Sequence, residues 1–421
     1  MEHRAAGPMK VAVFHPGTQH SWQTALALQQ LGRLQWYATS IFYQPARWPY
    51  RLERILPGRI GQRLGREFRR FSHPLLDPAL VRTSGLTEWF ERIASRAGRR
   101  ELARWLDRFG NDRFVAGIAD DLRSPEPFAL WGYNGSSERS FALARTMGRP
   151  CILDRTNGDF RVYNAMMAEV REQYGAWFLP TELEEPASNI ARDQREYELA
   201  DRILVGSPFA AGTIRDATAD AAIAAKVQVL NYCYDEALFG NLLPPRPLGR
   251  SAPVKFLFLG LVIPRKGIQH VLEAIARIPR SAAELTIVGG MKIPPRAFAP
   301  YADRVTYIPT VPRADVPRIM SEHHVFLLPS YFEGAGITLY EALASGSALI
   351  QSERCAAAVT PETGIMLNEI STESVYRAMM TAIEDRDRLD AWRAAAPAAA
   401  RAYTFDKYRE NIAALLEDMG I

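Results

Sequence analysis

The stretch Val325-Phe-Leu-Leu-Pro-Ser330, followed by Tyr331-Phe-Glu-Gly-Ala-Gly-Ile-Thr-Leu-Tyr-Glu-Ala-Leu-Ala344, decides how the rest of this chain is read. The apolar run is a buried-strand signal, the glycines Gly334 and Gly336 make a turn, and Leu339 onward has helical spacing. A helix that starts at Ile337 or Thr338 leaves its first backbone N–H groups without intrahelical acceptors. Those donors, with the positive end of the helix dipole, favour a phosphate in the turn. Glu333 and Glu341 bracket that anion site. At ~1.5 Å per helical residue their spacing corresponds to at least roughly 12 Å. Ribose hydroxyls, a diphosphate and sugar hydroxyls follow one another in that order in a nucleotide sugar.

Outward from this motif, the second half of the chain alternates strand and helix signals. Strands are expected at Val254–Leu259, Glu284–Val288, Val305–Ile308, Val325–Leu328 and Ala348–Gln351, with helices at Ile268–Ile278 and Val316–Ser321. The segment Phe258-Leu-Gly-Leu-Val-Ile-Pro-Arg-Lys-Gly267 joins the first of these strands to its helix. A basic pair at a helix start opposes the dipole, which points to a bound anion beside Lys266. Arg265 either shares that anion or faces solvent. Leu285-Thr-Ile-Val-Gly-Gly290 ends a strand on Gly289 and Gly290, as an ordinary turn or beside a ligand. Alternation of this kind specifies a parallel sheet with helices on both faces.

The segment Glu333–Glu341 resembles the E-x7-E motif of retaining glycosyltransferases of family 4, which have the GT-B fold of two Rossmann-like domains facing each other across a cleft. The basic-pair segment resembles that family's second signature. The resemblance implies that Glu341 holds the donor ribose and Glu333 contacts the transferred sugar. It also implies that Gly260, Gly334 and Gly336 let backbone approach the donor, and that Lys266 and Arg265 meet the diphosphate together with the N–H groups of Ile337 and Thr338. It places Gly289 beside the base. Many relatives carry an Arg after the first glycine, where this chain has Leu261. The implied donor is UDP- or GDP-linked, and no metal or other cofactor is implied. The resemblance further implies that the acceptor hydroxyl adds to the anomeric carbon on the face from which the diphosphate leaves, and that the leaving phosphate oxygen takes its proton.

The first half opens with strand Val11–Phe14, loop His15-Pro-Gly-Thr-Gln-His-Ser21 and helix Trp22–Leu31, the first βα unit of another doubly wound sheet. Gly17 is expected in a ligand cleft, with His20 on the acceptor side, while Ser21 is expected to cap the helix. Further strands are expected near Gln35–Ile41, Ala129–Trp131, Cys151–Leu153, Arg202–Val205 and Lys226–Leu230. Asp154-Arg-Thr-Asn-Gly-Asp159 is similar to the loop where many relatives place a His against the transferred sugar. Asp154 is either a group holding a sugar or acceptor hydroxyl or a helix cap, and Asp159 is assigned to the acceptor side. The proline-rich run Leu242–Pro253 reads as a linker. The expected domains are therefore 9–245, which the resemblance assigns to the acceptor, and 250–403, which it assigns to the nucleotide sugar. A final helix at about 404–421 is expected to pack back on the first.

Length and a 48% hydrophobic share suit two soluble cores. The formal net charge of +4 suits an anionic partner, but no nucleic-acid recognition motif accompanies it. Cys151, Cys233 and Cys355 match no metal spacing and read as reduced cytoplasmic thiols. His323-His324 is expected at a helix end facing solvent. No apolar run reaches the ~18 residues of a membrane span. The first eight residues read as a leader without a signal-peptide core. The segment Arg47–Phe71 holds eight arginines against Glu53 and Glu67, interleaved with Trp48, Tyr50, Phe68 and Phe71. Leu52, Leu56, Ile60, Leu64 and Phe68 form a stripe that either packs inward or leaves the Arg face on an anionic membrane, with Pro57-Gly58 as a helix break. A lipid-linked acceptor at the inner membrane face, in glycolipid, lipopolysaccharide or polysaccharide synthesis, is the expectation that follows. The alternatives are a soluble small-molecule acceptor, a nucleotide-sugar epimerase using Asp154 and Asp159, and a non-catalytic regulator or membrane scaffold. The intact Glu333, Glu341 and Lys266 set argues against the last two.

Overall fold

The computed structural model describes residues 8–17, 20–69, 71–83, 116–182, 184–240, 242–249 and 251–421. Residues 1–7, Thr18, Gln19, Arg70, residues 84–115, Leu183, Asn241 and Arg250 lie outside the described residues.

Two parallel sheets are present. The first comprises β1 (Lys10–His15), β2 (Leu34–Thr39), β3 (Val81–Thr83), β4 (Phe128–Tyr133), β5 (Cys151–Arg155), β6 (Arg202–Val205) and β7 (Val227–Val229), in the order β3-β2-β1-β4-β5-β6-β7. The second comprises β8 (Val254–Leu259), β9 (Ala283–Val288), β10 (Thr306–Ile308), β11 (Val325–Leu328), β12 (Ala348–Ser352) and β13 (Gly364–Leu367), in the order β10-β9-β8-β11-β12-β13. In both, the chain starts in the middle, winds one way and then the other. The direction reverses between β1 and β4, and between β8 and β11. Ligands of doubly wound sheets bind at the carboxyl ends of the strands at such a reversal.

The chain divides into two compact units. One is Met1–Asp154, Ala191–Leu204 and Arg409–Ile421, and the other is Arg155–Ile190 and Val205–Tyr408. The second sheet lies wholly in the second unit. Its side chains alternate between two cores, as period 2 requires. Phe256 and Phe258 of β8, with Val325 and Leu327 of β11, pack with Ile268, Val271, Leu272 and Ile275 of the helix after β8. Leu257, Phe326 and Leu328 pack on the other face with Leu339, Tyr340 and Leu343 of the motif helix. The two helices are thereby held on opposite faces, and both begin just beyond the carboxyl ends of β8 and β11.

Two local expectations are corrected. His20, not Ser21, is the residue before the first helix (Ser21–Gln30), and the Ser21 hydroxyl bonds the Tyr37 hydroxyl at 2.8 Å. His323 is buried, with ring nitrogens 2.6 Å from the Ile319 carbonyl and 2.8 Å from Thr286 Oγ1. His324 Nδ1 accepts from the Lys255 amide at 3.0 Å, so neither histidine simply faces solvent. The arginine-rich segment forms two helices, Leu52–Ile55 and Gly58–Arg69, interrupted at Leu56-Pro57. Its stripe divides: Phe68 packs with Ile41, Tyr50 and Phe71 and Leu64 lies against them, while Ile60 is 61% exposed.

Candidate functional site

The motif helix runs Ile337–Ala344 and starts at Gly336, whose φ of 79° is left-handed and favours glycine. Gly336, Ile337 and Thr338 are half-buried, so the first turn is open at the carboxyl end of the sheet. The preceding loop is fixed residue by residue. The Tyr331 amide donates to the Arg265 carbonyl at 2.8 Å, and the Arg265 guanidinium donates to the Phe332 carbonyl. The Glu333 amide donates to Arg354 at 3.1 Å, and the Gly334 carbonyl accepts from Ser207 Oγ at 2.6 Å. The Ala335 carbonyl accepts from the Ala356 amide at 2.8 Å. Gly334 must be glycine for a second reason: a Cβ there would sit 1.8 Å from the Thr156 carbonyl oxygen.

Glu333 is buried, and its Oε1 lies 2.8 Å from Lys266 Nζ and 3.0 Å from an Arg265 guanidinium nitrogen. Ser330 Oγ adds a longer bond at 3.4 Å. Burial pushes the Glu333 carboxyl up, but Lys266 and then Arg265 outweigh that and hold it below the ordinary carboxylate range. Lys266 and Arg265 stand in a short 3-10 turn, Pro264–Lys266. Arg265, for which solvent was one expectation, has a side chain only 22% exposed and turns onto the motif loop. Lys266 packs over Gly260, at the end of β8. Gly260 and Gly289 abut directly, since a Cβ on Gly289 would lie 1.8 Å from the Gly260 carbonyl oxygen. Behind the loop, His270 Nε2 meets the Tyr331 hydroxyl at 2.7 Å and His270 Nδ1 meets Thr372 Oγ1 at 3.0 Å. Burial lowers His270 to about 4, so it is a neutral strut near pH 7.

Glu341, a turn into the helix, is also buried. Both its carboxylate oxygens accept from Arg313, Oε2 at 3.1 Å and Oε1 more closely. Burial pushes the Glu341 carboxyl up, and Arg313 pulls against it. Arg313 was missed in the sequence. The one available hint was a lone arginine in Val311-Pro-Arg-Ala-Asp315, just after β10 and so at the ligand-binding end of the sheet.

The second unit thus brings together Gly260, Arg265, Lys266, Gly289, Glu333, Gly334, Gly336, Ile337, Thr338 and Glu341. It also holds the loop before Asp159, whose Gly158 packs on Phe332 and Thr213. Asp159 itself caps the helix Phe160–Tyr174 through the Arg161 amide at 2.8 Å and pairs with the Arg161 guanidinium at 2.8 Å. The remaining candidates belong to the first unit. Asp154 is buried at the end of β5, where Oδ2 accepts from Trp131 Nε1 at 3.3 Å. The Gly17 carbonyl accepts from Thr39 Oγ1 at 3.2 Å, and half-buried His20 precedes the first helix.

Residues 253–385 match the family model described as Glycosyl transferases group 1. The D-inositol 3-phosphate glycosyltransferase of Mycobacterium marinum is 27% identical over 180 residues, 39% of this chain and 38% of that protein. The lipopolysaccharide glucosyltransferase WaaG of Escherichia coli K12 is 34% identical over 98 residues, 22% of this chain and 26% of that protein. The matches therefore span well under half the length of these curated relatives. Anabaena Alr3699/HepE in complex with UDP-glucose matches with a TM-score of 0.60 over 97% of this chain and 100% of that one, at 13% identity. The chain has the GT-B fold, and the second sheet falls within the residues that match the group 1 glycosyltransferase model.

Proposed function

We propose that the protein is a retaining hexosyltransferase that moves a sugar from a UDP- or GDP-linked donor to a hydroxyl of a lipid-linked acceptor. The observation that carries the donor reading is the Glu333 carboxylate held by Lys266 and Arg265 in front of an open helix N-terminus. Two cations and a set of backbone donors converge where a diphosphate would leave. Glu341 offers acceptors to ribose hydroxyls, and Glu333 orients the sugar. In this reading the C1–O bond to the diphosphate breaks as the acceptor oxygen bonds C1 on the same face, and the acceptor proton passes to the leaving phosphate oxygen. The positive charge for departure comes from Lys266 and Arg265, so the chemistry needs no divalent metal. The UDP-glucose bound by HepE supports a nucleotide-sugar donor.

The acceptor reading rests on the first unit's surface. Trp48, Ile55 and Ile60 are 59%, 60% and 61% exposed, and Arg47, Arg51, Arg54, Arg59, Arg63 and Arg66 are exposed around them. Apolar tips within a basic surface suit the headgroup region of an anionic leaflet. Among the described residues no helix is long and apolar enough to cross a membrane. The inward packing of Leu64 and Phe68 favours the second reading, a soluble acceptor. Incubation with a panel of radiolabelled nucleotide sugars, with and without lipid extracts, tests both. Release of labelled sugar from none of them overturns the donor reading, and equal transfer without lipid overturns the lipid-linked acceptor.

A further inference from the structure

We infer that Arg313 is a positioning residue for the donor, fixing the orientation of Glu341 and keeping its carboxylate ready for the ribose hydroxyls. This rests on the proposed role of Glu341 as the ribose-binding group. The guanidinium meets both carboxylate oxygens in the forked geometry that arginine makes and lysine cannot. Such a fork occupies one lone-pair site on each oxygen and fixes the carboxylate plane. One outer site on each oxygen remains, directed away from the fork, to accept from a ribose hydroxyl.

Exposure is unequal across the pair: the Arg313 side chain is 51% exposed and that of Glu341 is 3% exposed. Arg313 is therefore solvated on one side and carries its charge cheaply, while Glu341 depends on it. The Arg313 guanidinium carbon stands 5.3 Å from the centre of the Phe239 ring, whose face holds it over the helix. The charged groups acting on Glu341 are Arg313 and Asp235. Asp235 caps the helix Glu236–Phe239 and disfavours the Glu341 charge, so Arg313 is the partner that favours the ionised form against burial. A protonated Glu341 presents an O–H donor in place of one acceptor site, which suits a diol less well.

The test is calorimetric binding of UDP and GDP, each beside its 2′,3′-dideoxy counterpart, from mildly acidic to mildly alkaline pH. The wild type, Arg313→Gln, Arg313→Lys and Glu341→Gln are compared. The ratio of ribo to dideoxy affinity is read within each variant, so a partly misfolded sample does not distort it. Arg313→Gln is expected to lower that ratio about tenfold at neutral pH. The loss deepens as pH falls and shrinks as it rises, because Glu341 without Arg313 protonates at higher pH. Arg313→Lys restores part of the ratio. An unchanged ratio in Arg313→Gln with a reduced one in Glu341→Gln overturns the role of Arg313 alone. An unchanged ratio in Glu341→Gln overturns the ribose assignment and the inference with it.

Discussion

Lys266 Nζ lies 2.8 Å from Glu333 Oε1, so the cation proposed to meet a leaving diphosphate is paired with the carboxylate proposed to meet the sugar. The pair sets each group's position without ligand. A donor diphosphate would share Lys266 with Glu333 rather than find it loose in solvent. Removing Glu333 leaves Lys266 without its carboxylate, and removing both Lys266 and Arg265 leaves Glu333 as an uncompensated buried charge, which makes the cluster visible in stability as well as in activity.

The pH dependence of stability should therefore reverse when the cations are removed. In the wild type Glu333 is held below its ordinary value, so its pairing stabilises the fold above the unfolded carboxylate value and is lost as pH falls through the lower folded one. In Lys266→Met/Arg265→Met burial alone acts and raises the carboxyl. That variant should lose about 3 kcal/mol at neutral pH and regain part of it on acidification. Urea midpoints across pH check this, and parallel curves would refute it.

Glu341→Ala should raise KM for the donor about tenfold or more with little change in kcat. A group that binds ribose acts alike in ground and transition states. Glu333→Gln should lower kcat by about a hundredfold with a smaller change in KM. Steady-state kinetics with the preferred donor decide, and equal minor effects from both would remove the assignment.

Gly334→Ala and Ser207→Ala should both loosen the motif loop. The first forces a Cβ against the Thr156 carbonyl, which costs at least about 1–3 kcal/mol. The second removes the hydroxyl that donates to the Gly334 carbonyl and accepts from the Ala210 amide at 3.1 Å, a cost of about 1–2 kcal/mol. Denaturation midpoints measure the first effect, and donor turnover should fall in both variants.

Transfer should survive EDTA, since Lys266, Arg265 and backbone donors supply the positive charge in the proposed chemistry. Activity that is abolished by the chelator and restored by Mg²⁺ or Mn²⁺ would be the contrary result.

The protein should float with liposomes containing phosphatidylglycerol at low salt and dissociate at high salt. Trp48→Ser/Ile60→Ser and Arg59→Gln/Arg63→Gln/Arg66→Gln should each weaken flotation. None of these side chains is among the buried residues, so thermal stability should stay within about 0.5 kcal/mol of the wild type. A wild type that stays in the pellet fraction at low salt would refute membrane docking.

The motif helix, its glycine turn and the alternation of strands were legible because each is written locally, in two-residue and four-residue periods and in punctuating glycines. Glu333 and Lys266 were each legible locally, but the ion pair between them was not, since 67 positions separate them. Arg313 was not legible, because its partner is 28 positions away and no periodicity marks a pair between a 3-10 turn and a distant helix. The histidines before β11 misled for a related reason. A polar pair at a helix end normally faces water, and here Lys255 and Thr286, far off in sequence, draw both rings inward. Ser21 was assigned a cap because cap chemistry is local, whereas Tyr37 competes for its hydroxyl from the next strand.

The tethers on the Tyr331–Ala335 loop come from Ser207, Arg265, Arg354 and Ala356, with Thr156 as its wall. Two of these five lie ahead of residue 253, where the glycosyltransferase match begins. The smallest piece of chain able to build this loop is therefore larger than the stretch that matches the family model. A fragment cut at Val254 would keep all six strands of its sheet and both glutamates, yet present a slack loop with the Gly334 carbonyl turned to water. During synthesis, too, the loop cannot set until distant segments of the chain have closed on it, which makes it a late-forming part of its sheet.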